Sequence, residues 1–150
     1  MKNELLRHMV ATIAYRLTKV HDHAPPIFGT FTVGLKTRNP QAIVNHMARV
    51  VRATRVFVVE ERFDPVALDA LPWEDELARF AEELGQLDEV LAKKELPAGF
   101  AKRLIQGPLS DALTPVGPLA MSWGLDGAAS PPDDHSAASI DAGLGVAEGC

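Results

Sequence analysis

The sequence predicts an all-α domain built as an antiparallel four-helix bundle, and three observations carry that expectation. Apolar residues recur at three- and four-residue steps in four separate stretches, the period of a helix with one buried face. Prolines and capping residues separate the first three stretches, at Pro25-Pro26, Asn39-Pro40 and Pro65 to Pro72. Finally, only one segment alternates enough to pass for a strand, and nothing else in the chain offers it a partner.

The first helix is expected over residues 3–20, where Leu6, Met9, Val10, Ile13, Leu17 and Val20 form one apolar stripe. The run His21-Asp22-His23-Ala24-Pro25-Pro26 should end it, because a helix cannot continue through two prolines. Residues 27–36 alternate weakly and, having no partner, are read as an ordered loop. Asn39-Pro40 then signals the second helix, Asn as N-cap and Pro at the first helical position. It should run to about residue 59 with Ile43, Met47, Val50, Val51 and Phe57 inward. Residues 64–72 hold two prolines and read as a connector.

The third helix has the clearest pattern. Trp73, Leu77, Phe80, Leu84, Leu87 and Leu91 keep one face. Glu74, Asp75 and Glu76 at its start and Lys93 and Lys94 at its end match the helix dipole. Residues 99–107 suit a short helical turn. A last helix is signalled by Pro108, with Leu109, Ala112, Leu113, Val116, Leu119, Ala120 and Trp123 on one side. Pro115 and Pro118 lie inside it, and an interior proline costs roughly 3 kcal/mol. The expected escape is a kink or break near Pro115, with Thr114 capping a restarted helix. The bundle should span residues 1–126, and residues 127–150, rich in Ala, Ser, Gly, Pro and Asp, should form an irregular tail.

Composition excludes several function classes. The chain has 150 residues, 47% of them hydrophobic and 23% charged, and so suits one cored domain. A net charge of -5 leaves no basic footprint for nucleic acid. The arginines at 49, 52 and 55 are expected to be a solvated helix face. No apolar run reaches the ~18 residues of a membrane span. The N-terminal residues carry charges where a secretory signal needs a continuous apolar stretch. With one cysteine, Cys150, no disulfide can form within the chain, so a cytoplasmic protein is expected.

Among the five histidines, His8, His21, His23 and His135 read as ordinary helix, loop and tail residues, although His21 and His23 form an His-x-His pair. His46 differs, because its spacing from Ile43 and Val50 sets it at the edge of the second helix's inward face. It is either a hydrogen-bonded core residue or a metal ligand, since a buried imidazole needs one partner or the other. Asp111, within an apolar stretch, is either a first-turn residue favoured by the helix dipole or an inward ligand. No phosphate loop, Cys-x-x-Cys, His-Glu-x-x-His or defensible serine triad is present.

Several stretches together resemble the DinB/YfiT-like family of four-helix-bundle metalloproteins. They are Leu5-Leu6 through Ala14-Tyr15-Arg16, Ala24-Pro25-Pro26-Ile27-Phe28, Arg38-Asn39-Pro40 with Asn45-His46-Met47, and Pro72-Trp73 with Ala78-Arg79-Phe80 and Leu87-Asp88. The run from Leu104 through Gly107-Pro108-Leu109-Ser110-Asp111 to Thr114 and the tail around Ile140-Asp141 complete the match, which covers nearly the whole chain. The resemblance implies a bundle, often a homodimer, holding a divalent nickel or zinc ion by one histidine on the second helix and two ligands one turn apart on the last. It implies thiol S-transferase or isomerase chemistry in some members and no assigned reaction in many.

The second-helix ligand falls on His46. In the branch that the chain most resembles, the last-helix pair is an Asp followed four residues on by a His, then a Gly-Gln. Asp111 matches the Asp, but Pro115 stands at the His and Pro118 at the Gln, and the arginines usual after Met121 are replaced by Ser122, Trp123 and Gly124. Proline has no donor atom, so the expected site keeps His46 and Asp111 and is weak or empty of metal unless water, His8 or a partner chain completes it. The leading expectation is a degenerate family member of undetermined reaction. The alternatives are a working metal-dependent enzyme of the S-transferase or hydrolase type, taking a small thiol or other small molecule with Tyr15 or Arg16 in its pocket, and a non-catalytic dimerising bundle.

Overall fold

A computed structural model describes residues 3–24, 26–30 and 38–115. The described residues are mostly helical and contain no strand, as the periodicity predicts. Among them no helix is long and apolar enough to cross a membrane.

Helix α1 spans Glu4–His23 and buries Leu6, Val10, Ile13, Leu17 and Val20, the predicted stripe. It runs past the expected end, so His21 and His23 lie on helical backbone rather than in a loop. The reason is local: the residue before a proline is pushed out of the α region, and that residue is Ala24, which is extended at φ -91°, ψ 135°. At the other end Asn3 adopts a left-handed conformation, which Asn tolerates better than most residues. Its side-chain amide donates to the carbonyls of Leu91 and Lys94 at 2.8 and 2.6 Å. Those are carbonyls that a helix end leaves without an internal partner.

A 3-10 turn, Pro26–Thr30, follows where a loop is expected. Phe28 is buried and meets the Trp73 ring edge-on, with centroids 5.5 Å apart. Gly29 lies so close to Trp73 that an added Cβ would sit 2.6 Å from the tryptophan Cβ and 3.1 Å from Gln41 Oε1. Gly29→Ala is therefore expected to cost about 1–3 kcal/mol in chemical denaturation, the usual range for overpacking. A loss under about 0.5 kcal/mol, the level of an uninvolved surface change, would mean that the turn moves freely.

Helix α2 spans Pro40–Glu60, and the Asn39 side chain accepts from the Ala42 amide at 2.8 Å, the predicted cap. Its buried face is turned slightly from the expected one. Val44, Met47, Ala48, Val51, Ala53, Thr54 and Val58 are inside, while Ile43, Val50 and Phe57 sit half-buried at the edge. The small residues Ala48 and Ala53 are among those on the buried face.

Helix α3 spans Trp73–Lys93 with Trp73, Phe80, Leu84, Leu87 and Leu91 buried. Residues 98–113 form one helical run: α4 (Ala98–Leu104), a π turn (Ile105–Leu109) and α5 (Ser110–Leu113). The expected helix start at Pro108 is thus corrected, since the helix begins ten residues earlier and passes through that proline. Pro108 lacks an N–H and its ring crowds the carbonyl four residues back, so the chain widens to a π turn instead of breaking. The Ser110 hydroxyl donates to the Ile105 carbonyl at 2.5 Å. The run ends at Leu113, two residues before Pro115. The restarted helix, Pro118 and the tail from residue 127 lie outside the described residues.

Cross-helix pairs set the directions. Arg7 meets Asp88 and His21 meets Glu74, so α1 and α3 run antiparallel. Asn45 meets Glu76 and Arg52 meets Glu83, a constant offset that requires α2 and α3 to run parallel. The expected all-antiparallel arrangement is corrected on this point. Residues 61–72 make the difference possible: they form neither helix nor strand, and twelve residues can reach roughly 40 Å, more than the roughly 31 Å length of α3. Phe57 then stacks on Phe100 at 4.7 Å, and α5 packs back on α2, which returns the last run antiparallel to α2.

Candidate metal site

The site grows out of α2. Its Asn39 cap sets the register, which places Asn45, His46 and Arg49 within one turn near the start of the helix. Asn45 turns to α3, its amide donating to Glu76 Oε1 at 3.0 Å and to the Asp69 carbonyl at 3.1 Å. His46 is half-buried, and Asp111 is exposed on α5, which packs against α2. The carboxylate is near enough for its charge to act on the imidazole. The two predicted ligands therefore do share a neighbourhood.

The pKa of His46 nevertheless lies below the ordinary histidine value. Burial is the largest cause, followed by the positive charges of Arg49 and Arg38, and Asp111 only partly opposes them. The Arg49 guanidinium also makes contact, with Nη2 3.0 Å from His46 Nδ1. A guanidinium can only donate. Nδ1 is then the acceptor, and the single proton of the neutral ring sits on Nε2.

That arrangement does not fit a resident nickel or zinc ion. A ligating imidazole faces the metal with a lone pair and donates its other N–H to an acceptor. Here Nδ1 is occupied by a donor, Nε2 carries the proton, and two arginine charges oppose a dication. Among the described residues the donor set is also short of three protein ligands. Pro115, where the resemblance expects the third ligand, is half-buried in the turn after α5 and has no donor atom. Among the described residues no group of three or more His, Cys, Asp or Glu side chains converges.

The other candidates lie elsewhere. His8 is next to Arg7, which pairs with Asp88, whereas His46 is next to Asn45, which pairs with Glu76. Asp88 and Glu76 are roughly 18 Å apart along α3, so His8 stands too far down the helices to complete the site. His21 bonds Glu74 at 2.9 Å on the surface. Tyr15 and Arg16 are half-buried on α1, whose main neighbour is α3. Lys19 Nζ lies 5.5 Å from the Tyr15 ring centre. A groove of about 280 Å³ runs between α1 and α3, lined by Leu17, His21, Glu74, Leu77, Ala81 and Leu84 among others, and neither His46 nor Asp111 lines it.

Buried acids are what sequence reasoning missed. Glu76, Glu83 and Asp88 lie on α3 with 0%, 3% and 5% exposure, where charge is costly unless paired. Glu76 accepts from Arg79, Asn45 and the Leu71 amide. Glu83 meets Arg52 at 2.7 Å and Arg55 at 3.5 Å, and Asp88 takes both prongs of Arg7 at 2.8 and 2.9 Å. The arginines of α2 are thus partners of α3 and His46, not a solvated face. Glu76 and Glu83 stand two helical turns apart beside the apolar stripe, a spacing that could have flagged them.

No family model matches the chain, and no curated protein or solved structure matches it either.

Proposed function

We propose that the chain is a DinB-like four-helix protein whose divalent-metal site has degenerated, leaving a helical frame that works without a resident ion. The observation that carries the reading is the Arg49 guanidinium seated on His46 Nδ1, beside a carboxylate at Asp111 and a proline where a third ligand would stand. Support comes also from the order of the parts: an Asn39-capped helix carrying His46, a Trp73-led helix, and a last helical run carrying Asp111.

Metal content by elemental mass spectrometry tests the reading. The purified protein should hold well under one nickel or zinc per chain, and Pro115→His should hold more. Near-stoichiometric metal that disappears in His46→Ala would overturn it. That outcome would favour the metal-dependent enzyme of the S-transferase or hydrolase type, with His46 and Asp111 as ligands and a small thiol or other small molecule as substrate.

A further inference from the structure

The missing ligand at Pro115 is one obstacle to metal, and Arg49 is a second that does not depend on it. Arg49 stands three residues after His46 on the same helix, the spacing at which helical side chains meet. Its guanidinium lies 3.0 Å from Nδ1, while its own Nε is buried and has no hydrogen-bond partner among the described residues.

We infer that Arg49 is a metal-excluding residue: by donating to Nδ1 it locks His46 in the Nε2–H tautomer and sets a fixed cation where a ligated ion would need an electron-rich imidazole. The inference rests on His46 standing in the proposed degenerate site. In a ligating histidine the partner of the second nitrogen is an acceptor, which raises ligand basicity. Arg49 reverses that polarity. Restoring a third ligand alone would therefore leave the first one a weak donor.

Two measurements decide it. In the unmodified protein at neutral pH, long-range proton–nitrogen NMR of the imidazoles should show His46 with Nδ1 unprotonated and Nε2 protonated. Nickel titration should then find that Pro115→His binds weakly, and that adding Arg49→Met tightens binding roughly 10- to 100-fold, the range over which partners of a ligating imidazole tune affinity. Arg38→Met in the same background removes an equal charge without touching Nδ1, and should change affinity less than Arg49→Met does. An Nδ1–H tautomer overturns the inference even if a variant fails to fold. So does equal nickel affinity with and without Arg49, which would still leave Pro115 as the sole lesion and the degenerate reading standing. Stoichiometric metal in the unmodified protein instead removes the degenerate reading itself.

Discussion

Glu76→Ala is expected to destabilise the protein by about 3–5 kcal/mol, the cost of breaking a buried ion pair by deleting one partner. Glu76 is fully buried, and its two oxygens accept hydrogen bonds from Arg79 at 2.6 Å, Asn45 at 3.0 Å and the Leu71 amide at 2.8 Å. Removing it strands three donors at once, one of them the guanidinium of a residue only 16% exposed. For a chain of this size each kcal/mol moves the melting temperature by about 2–4 °C, so thermal unfolding should shift down by about 10 °C. Glu74→Ala, whose carboxylate is exposed, should stay within about 0.5 kcal/mol. The contrast matters more than either value. If both variants melted alike, the carboxylate of Glu76 would not be joining α2, α3 and the connector as described.

Phe80→Ala should cost about 3–5 kcal/mol as well, but for a different reason. Phe80 is completely buried at the middle of the α3 stripe, so truncation forfeits both its transfer from water and the contacts around the cavity left behind. Leu77 shares the predicted stripe but is only half-buried and lines the groove between α1 and α3. Its alanine variant should lose less than about 2 kcal/mol, below the usual range for a core leucine. Chemical denaturation of the two variants tests the assignment. Equal losses would mean that the groove is closed and Leu77 is core.

The helices themselves were legible because their signals are local. Asn39-Pro40 caps and starts α2 using only the next few residues, and the α3 stripe repeats within its own length. Where local rules were applied too strictly, the structure departs from them. Two prolines predicted an end for α1 at residue 20, but the exclusion acts on the residue just before Pro25, so the helix keeps three further residues. Pro108 predicted a start, but a π turn absorbs an interior proline. The Arg49–His46 contact was legible in principle, being an i, i+3 pair, yet a run of arginines at three-residue spacing reads first as a solvated face.

The sequence alone determined that the described residues are helical and where most of their helices lie, and it named His46 and Asp111 as candidate ligands. Tertiary structure alone decided that α2 runs parallel to α3, that three acids of α3 are buried against arginines of α1, α2 and α3, and that His8 stands about 18 Å down the helices from His46. The division has one physical cause. Helix formation depends on residues a turn apart, so periodicity and caps reveal it. Direction and charge pairing depend on which faces meet after a twelve-residue connector has crossed the length of a helix, and no local pattern encodes that crossing.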